Sequence, residues 1–304
     1  MKRPCRALLF VLCCLPGTPL LTQASAQTQI GGGTCSSSNL SGIYSFTITG
    51  RQVTSAGTFS SVFQGNGSAT FDGLSKVTLA LTIDTIASVA TPMTWGGTYS
   101  VQANCAGVIT ITSGDSGTLN LAVYDQGTDF LVTGNDALYN YSGSGNTQPS
   151  GCSASTLSGV YTFTGTGYSL SGGSVAGAED GAGLLQFDGV SILTVNFNVS
   201  TLGKAPSGLT LTGSYSISSN CLGSATLTDS TKTNNYVLNF SITSSAVASA
   251  AFDGALAQSG KFLISGSGHA IYGQPAATAA NHRDAQPTAG AFAKLSESVY
   301  GWKI

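Results

Sequence analysis

CSSSNLSGIYSFTITG, residues 35–50, returns as CSASTLSGVYTFTGTG at residues 152–167. Phe71-Asp72-Gly73 returns as Phe187-Asp188-Gly189, and GTYSVQANC, ending at Cys105, returns as GSYSISSNC, ending at Cys221. The offset is 117 for the first match and 116 for the other two, and a register held so closely across each copy identifies a duplicated unit. The second copy runs longer. TSSAVASAAFDGALAQS, near residues 243–259, finds no counterpart between Tyr124 and Phe130, so one hairpin or loop is expected to have been gained or lost there.

Within each copy the apolar period is two. Tyr44, Phe46 and Ile48 alternate with Ser45, Thr47 and Thr49; Val77, Leu79, Leu81 and Ile83 alternate with Thr78, Ala80, Thr82 and Asp84. In the second copy Leu193, Val195, Phe197 and Val199 alternate with Thr194, Asn196, Asn198 and Ser200. Half-buried antiparallel strands produce this pattern. Further runs at 95–103, 107–113, 118–125 and 129–134, punctuated by Gly, Asn, Asp and Ser, bring the expectation to about eight short strands per copy. The fold class is therefore all-β: two tandem antiparallel barrels or sandwiches. Sequential strands joined by tight turns favour the barrel, which leaves no exposed edge.

Lys2, Arg3 and Arg6, the apolar run Ala7 to Leu15 and the small residues Ala24-Ser25-Ala26 have the form of an export signal cleaved near Ala26. The expected organisation is then a signal at 1–26, a linker at 27–34, one repeat at 35–148, a second at 149–273, and a low-complexity tail at 274–304 with a short helix near Phe292, Leu295 and Val299. Outside the leader there are four cysteines, two per repeat. A self-contained unit that carries its own bond survives copying, so duplication favours Cys35 with Cys105 and Cys152 with Cys221, as disulfides in a secreted or periplasmic protein.

Removing the leader takes the charged residues from 11 basic and 13 acidic to 8 and 13, a net charge of −5. That balance argues against nucleic acid as a partner. No apolar run after the leader is long enough to span a membrane as a helix, and no cofactor or metal motif is present, with His269 and His282 the only histidines.

The Leu-Ser-Gly-x-Tyr opening, the Phe-Asp-Gly turn and the Gly-x-Tyr-x-x-x-x-Asn-Cys strand resemble a group of secreted bacterial domains, often duplicated, of lipocalin-like or avidin-like barrel form. Gly42-x-Tyr44 and Gly159-x-Tyr161 stand on the first strand, where lipocalins carry Gly-x-Trp. The resemblance implies a calycin-like barrel and carries no activity with it.

Candidate chemistry is sparse. Gly114-Asp115-Ser116-Gly117 copies the nucleophile motif of chymotrypsin-like proteases, but no histidine precedes His269 to serve as base, and a hairpin turn is the expected role. His282-Arg283-Asp284 copies a kinase triplet without its phosphate-binding context. Glu179-Asp180-Gly181 reads as a solvated acidic hairpin tip. Asp72 and Asp188, once per repeat, are either turn residues or ligand-binding acids. The Thr, Ser and Asn of the polar strand faces suit a solvated surface or a hydrogen-bonding surface for sugars or other neutral ligands. The expected function is a non-enzymatic binding module for a small or neutral ligand, held in a barrel mouth or interior. A structural or adhesive envelope protein is one alternative, and a barrel-mouth isomerase or hydrolase acting through Asp72 and Asp188 is another.

Overall fold

The computed structural model describes residues 34–271, except 54–58, 136–138, 202–203, 205 and 247–248. The segment expected to be an export signal, the expected tail and His282-Arg283-Asp284 lie outside the described residues. The first barrel comprises β1 (Ser41–Val53), β2 (Phe59–Asp72), β3 (Lys76–Thr85), β4 (Thr91–Val101), β5 (Ala106–Ser113), β6 (Gly117–Tyr124), β7 (Asp129–Asn135) and β8 (Asn140–Thr147). The second comprises β9 (Ser158–Ser171), β10 (Ser174–Asp188), β11 (Ile192–Thr201), β12 (Ser207–Ile217), β13 (Leu222–Asp229), β14 (Asn235–Ser244), β15 (Ala251–Gln258) and β16 (Phe262–Ala270). Each strand pairs antiparallel with the next, and β8 returns to β1 as β16 returns to β9. The protein is two up-and-down barrels in tandem, each closed by this return.

Both copies have eight strands, so of the hairpin or loop expected to differ, the difference is one of loop length. Ala251–Gln258 is strand β15, the counterpart of β7, and the extra length sits in two connections, Asp229 to Asn235 and Ser244 to Ala251. Phe130 and Phe252 take the same place in their barrels, each ring covering a glycine of the last strand, Gly145 and Gly268 respectively.

The recurring motifs close one end of each barrel. A 3₁₀ turn, Ser37–Asn39 or Ala154–Thr156, leads into Leu40 or Leu157, whose side chain is fully buried. The Tyr99 hydroxyl donates to the carbonyls of Ser37 and Leu40 at 2.9 and 2.8 Å, and Tyr215 does the same to Ala154 and Leu157 at 2.9 and 3.3 Å. Cys35–Cys105 and Cys152–Cys221 are disulfides that tie this plug to the turn after β4 or β12. Disulfides of this kind persist in oxidising compartments. Gly42 and Gly159 sit at φ +103° and +110°, where a side chain is strained, which accounts for glycine in both Leu-Ser-Gly segments.

Inward-facing rings fill the lumen. Phe71 meets Tyr44, Tyr99 and Phe130 at centroid distances of 5.5, 4.8 and 5.3 Å, and Phe187 meets Tyr161, Tyr215, Phe240 and Phe252 at 5.4, 5.0, 5.9 and 5.9 Å. An eight-stranded barrel is just wide enough for such side chains to occupy it. Near the other end of the first barrel, the space among Trp95, Ile111, Leu119 and Tyr141 is about 10 Å³, room for about one water. Apolar and aromatic side chains face inward and strand Ser and Thr side chains outward, the reverse of a membrane-spanning barrel.

Of the two roles open to the polar strand faces, full solvation does not hold for the outward face of the first barrel. Strand β2 is buried on both sides. Phe63, Ala69 and Phe71 point into the first barrel, while Val62, Gln64, Asn66 and Ser68 are covered by the second, against β10, β14, β15 and β16. Val62 joins Leu170, Ala257 and Leu263 in an apolar pad between the barrels, flanked by Ile86, Val89 and Val175.

Phe252 touches Tyr161, Phe163, Phe187 and Phe240 and screens Gly268. Replacing Phe252 with Ala is expected to cost about 3–5 kcal/mol, read as a lower urea midpoint with an unchanged slope in equilibrium unfolding of the chain.

Candidate functional site

The sequence candidates lie at the strand ends. Asp72 Oδ1 accepts the amides of Leu74, Ser75 and Lys76 at 2.8, 2.8 and 2.9 Å, and Asp188 Oδ1 accepts those of Val190, Ser191 and Ile192 at 2.8, 2.7 and 2.8 Å. These carboxylates hold the β2–β3 and β10–β11 turns. The three amides draw the Asp72 carboxyl below its ordinary pKa, the Lys76 amide foremost. Asp115 and Ser116 form a hairpin turn in which Asp115 Oδ1 accepts the Ser116 amide at 2.7 Å.

Glu179-Asp180-Gly181 is not a hairpin tip. It lies in the middle of β10, and the turn is made earlier by Gly172 and Gly173, both at positive φ. Glu179 is buried and accepts the Thr201 hydroxyl at 2.8 Å, while Asp180 faces the space between the barrels.

That space is a groove of about 740 Å³, within the range of small-molecule sites. The first barrel supplies Thr47 and Thr49 of β1 with Ser142 and Ser144 of β8. Thr47 pairs with Ser144 and Thr49 with Ser142, their hydroxyls 3.3 and 3.0 Å apart. The second barrel supplies Thr164 and Thr166 of β9 with Ser265 and Ser267 of β16, paired in the same register. The two quartets occupy equivalent positions of the duplicated unit. The outward direction follows from the strand period: on β1 and β9, Phe46 and Phe163 point inward, so Thr47, Thr49, Thr164 and Thr166, one or three residues further along, point out. Sequence inspection missed this set, although Ser142-Gly-Ser-Gly145 and Ser265-Gly-Ser-Gly268 repeat it letter for letter.

The two walls differ in charge. Asp180 and Asp253 line the second wall, and Leu131, 48% exposed, lies on the first. A smaller pocket of about 380 Å³ adjoins at Asp253 and Ser267 and adds Asp129, Asn146 and His269. Neither space has a lysine or arginine among its lining residues.

Hydrogen bonds across the barrels fix the groove. Ser45 and Ser241 share one at 2.5 Å, and the Asn66 amide donates to Ser241 Oγ at 3.1 Å and to the Asp253 carbonyl at 3.0 Å. Beside them Asp84 is fully buried. Its Oδ1 accepts the Ala90 amide at 2.7 Å. The Asn239 amide across the interface favours the charged form, but Asp84 Oδ2 and Asn239 Nδ2 fall short of hydrogen-bond geometry and each lacks a partner. Burial pushes the Asp84 carboxyl up to about 6, against the pull of the Ala90 and Asn239 amides. Burial likewise raises Asp253 to about 6, opposed by the charge of His269, and raises Glu179, opposed by Thr201 and Lys204.

No family model and no curated protein matches the sequence.

Three carboxyls with raised pKa make the folded chain hold more protons than the unfolded chain between pH about 4 and 6. Stability should therefore fall as pH rises through that window and stay lower above it. Chemical denaturation at pH 5 and pH 7.5 tests this. Asp84→Asn is expected to stabilise the chain by about 1–3 kcal/mol at pH 7.5 and to flatten the pH dependence.

Proposed function

We propose that this chain is an exported, non-enzymatic binding module that takes a neutral, polyhydroxylated ligand in the groove between its barrels. The observation that carries this reading is the pair of equivalent hydroxyl quartets facing one cleft. Hydroxyls donate and accept at once, so they match the mixed donor and acceptor edges of a sugar. Asp180 and Asp253 add acceptors for further hydroxyls. The aromatic filling of both lumens argues for the groove over a barrel interior as the ligand's place. The leader-like residues 1–26 and the two disulfides support export to a secreted or periplasmic location.

A second reading, a structural or adhesive envelope protein, has its own support in those filled lumens and in Leu74 and Val190. These are 76% and 63% exposed at equivalent turns beside Asp72 and Asp188.

Amide hydrogen exchange of the mature chain, with and without a panel of neutral saccharides, separates the two. The binding-module reading expects added protection along β1, β8, β9 and β16. Protection confined to the Leu74 and Val190 turns, or none with any saccharide, would favour the envelope reading.

A further inference from the structure

We infer that the groove's occupant is an extended chain of neutral sugar units, gripped from both sides by the two quartets and given a direction by the acids of one wall. This inference rests on the groove-binding reading above and narrows its ligand class. Strand geometry places same-strand hydroxyl residues about 6.8 Å apart and adjacent strands about 4.8 Å apart. Each quartet is thus a patch on the scale of one sugar ring. Consecutive rings present hydroxyls to both walls at once, one ring to each quartet.

The groove volume of about 740 Å³ also matches a drug-sized or larger ligand more closely than a single ring. Duplication supplies the same four hydroxyls on either side of the cleft, an arrangement suited to a ligand that repeats its own groups.

Direction comes from where the copies diverge. Leu131 follows Phe130 in the first repeat, and Asp253 follows the equivalent Phe252 in the second. Gln64 is turned into the interface, while Asp180, at the matching place on β10, faces the groove. One edge of the chain therefore meets Leu131, which suits the apolar face of a ring, and the other meets two carboxylates. Anionic sugars meet Asp180 and Asp253 with no lysine or arginine in the lining to offset them; His269 stands in the adjoining pocket beside Asp129 and Asp253. Uronic acid chains are excluded on that ground.

The test is calorimetric titration of the mature chain with neutral tetrasaccharides of glucose, mannose and xylose, with the matching monosaccharides, and with tetragalacturonate. The expected result is a neutral tetrasaccharide that binds at least tenfold more tightly than its monosaccharide, with no binding of tetragalacturonate. Thr47→Val and Thr164→Val, one on each wall, are both expected to weaken that tetrasaccharide about 2- to 10-fold. Valine keeps the β-branched shape, and Thr78→Val, on an exposed strand position outside the groove, should leave affinity unchanged. A monosaccharide bound as tightly as its tetrasaccharide, with loss at only one wall, would overturn the chain inference and leave the groove reading standing. Tetragalacturonate bound as well as the neutral chains would overturn the selection by charge. Failure of every neutral saccharide to bind would overturn both the inference and the reading beneath it.

Discussion

A closed barrel hides only one of its two faces, and here the packing of β2 against the second barrel decides what happens to the other. Val62, Gln64, Asn66 and Ser68 leave water on the outer side of a strand whose inner side is already core. Apolar contacts at Val62 drive part of this burial. The polar remainder must find partners, because an unpaired buried polar group is costly. Asn66 and Ser45 find them on Ser241 and Asp253. Asp84 does so only in part, and its raised pKa is the electrostatic trace of that shortfall. The groove is the region beside this contact where the outer faces diverge.

Duplication explains both the likeness and the difference of the two walls. Each copy brought the same plug, the same disulfide and the same inward rings, so each half carries its own core. The hydroxyl quartets came with the scaffold. The acids of the second wall did not: Leu131 became the counterpart of Asp253, and Gln64 that of Asp180. The copies thus differ at positions where the halves face each other, while the end plugs kept their pattern.

The alternation on β1, β3 and β11 was legible because closure demands a period of two wherever one face is buried. The plug was legible as a recurring motif, though its purpose, two carbonyls offered to one tyrosine hydroxyl, required the fold. The acidic segment 179–181 was not legible. Glu-Asp-Gly has the composition of a turn, and only the earlier Gly172-Gly173 pair, with its positive φ, makes the chain reverse before it. Nor was the interface: Ser45, Gln64, Asn66 and Asp84 are residue types that solvated strands also carry, and what buries them comes from strands more than 100 residues away in sequence. The groove shares that obscurity, since it depends on how two barrels dock.

The docking itself is the central claim, and Ser45 and Ser241, with hydroxyl oxygens 2.5 Å apart across the interface, give the most direct test. Both positions would be changed to cysteine and the chain, produced in an oxidising compartment, mapped by non-reducing peptide analysis. A third disulfide, 45–241, formed in near-complete yield beside the 35–105 and 152–221 bonds, is the predicted result. Two free thiols in a chain that is otherwise folded and oxidised would contradict the account, leaving the barrels undocked and the groove without its second wall.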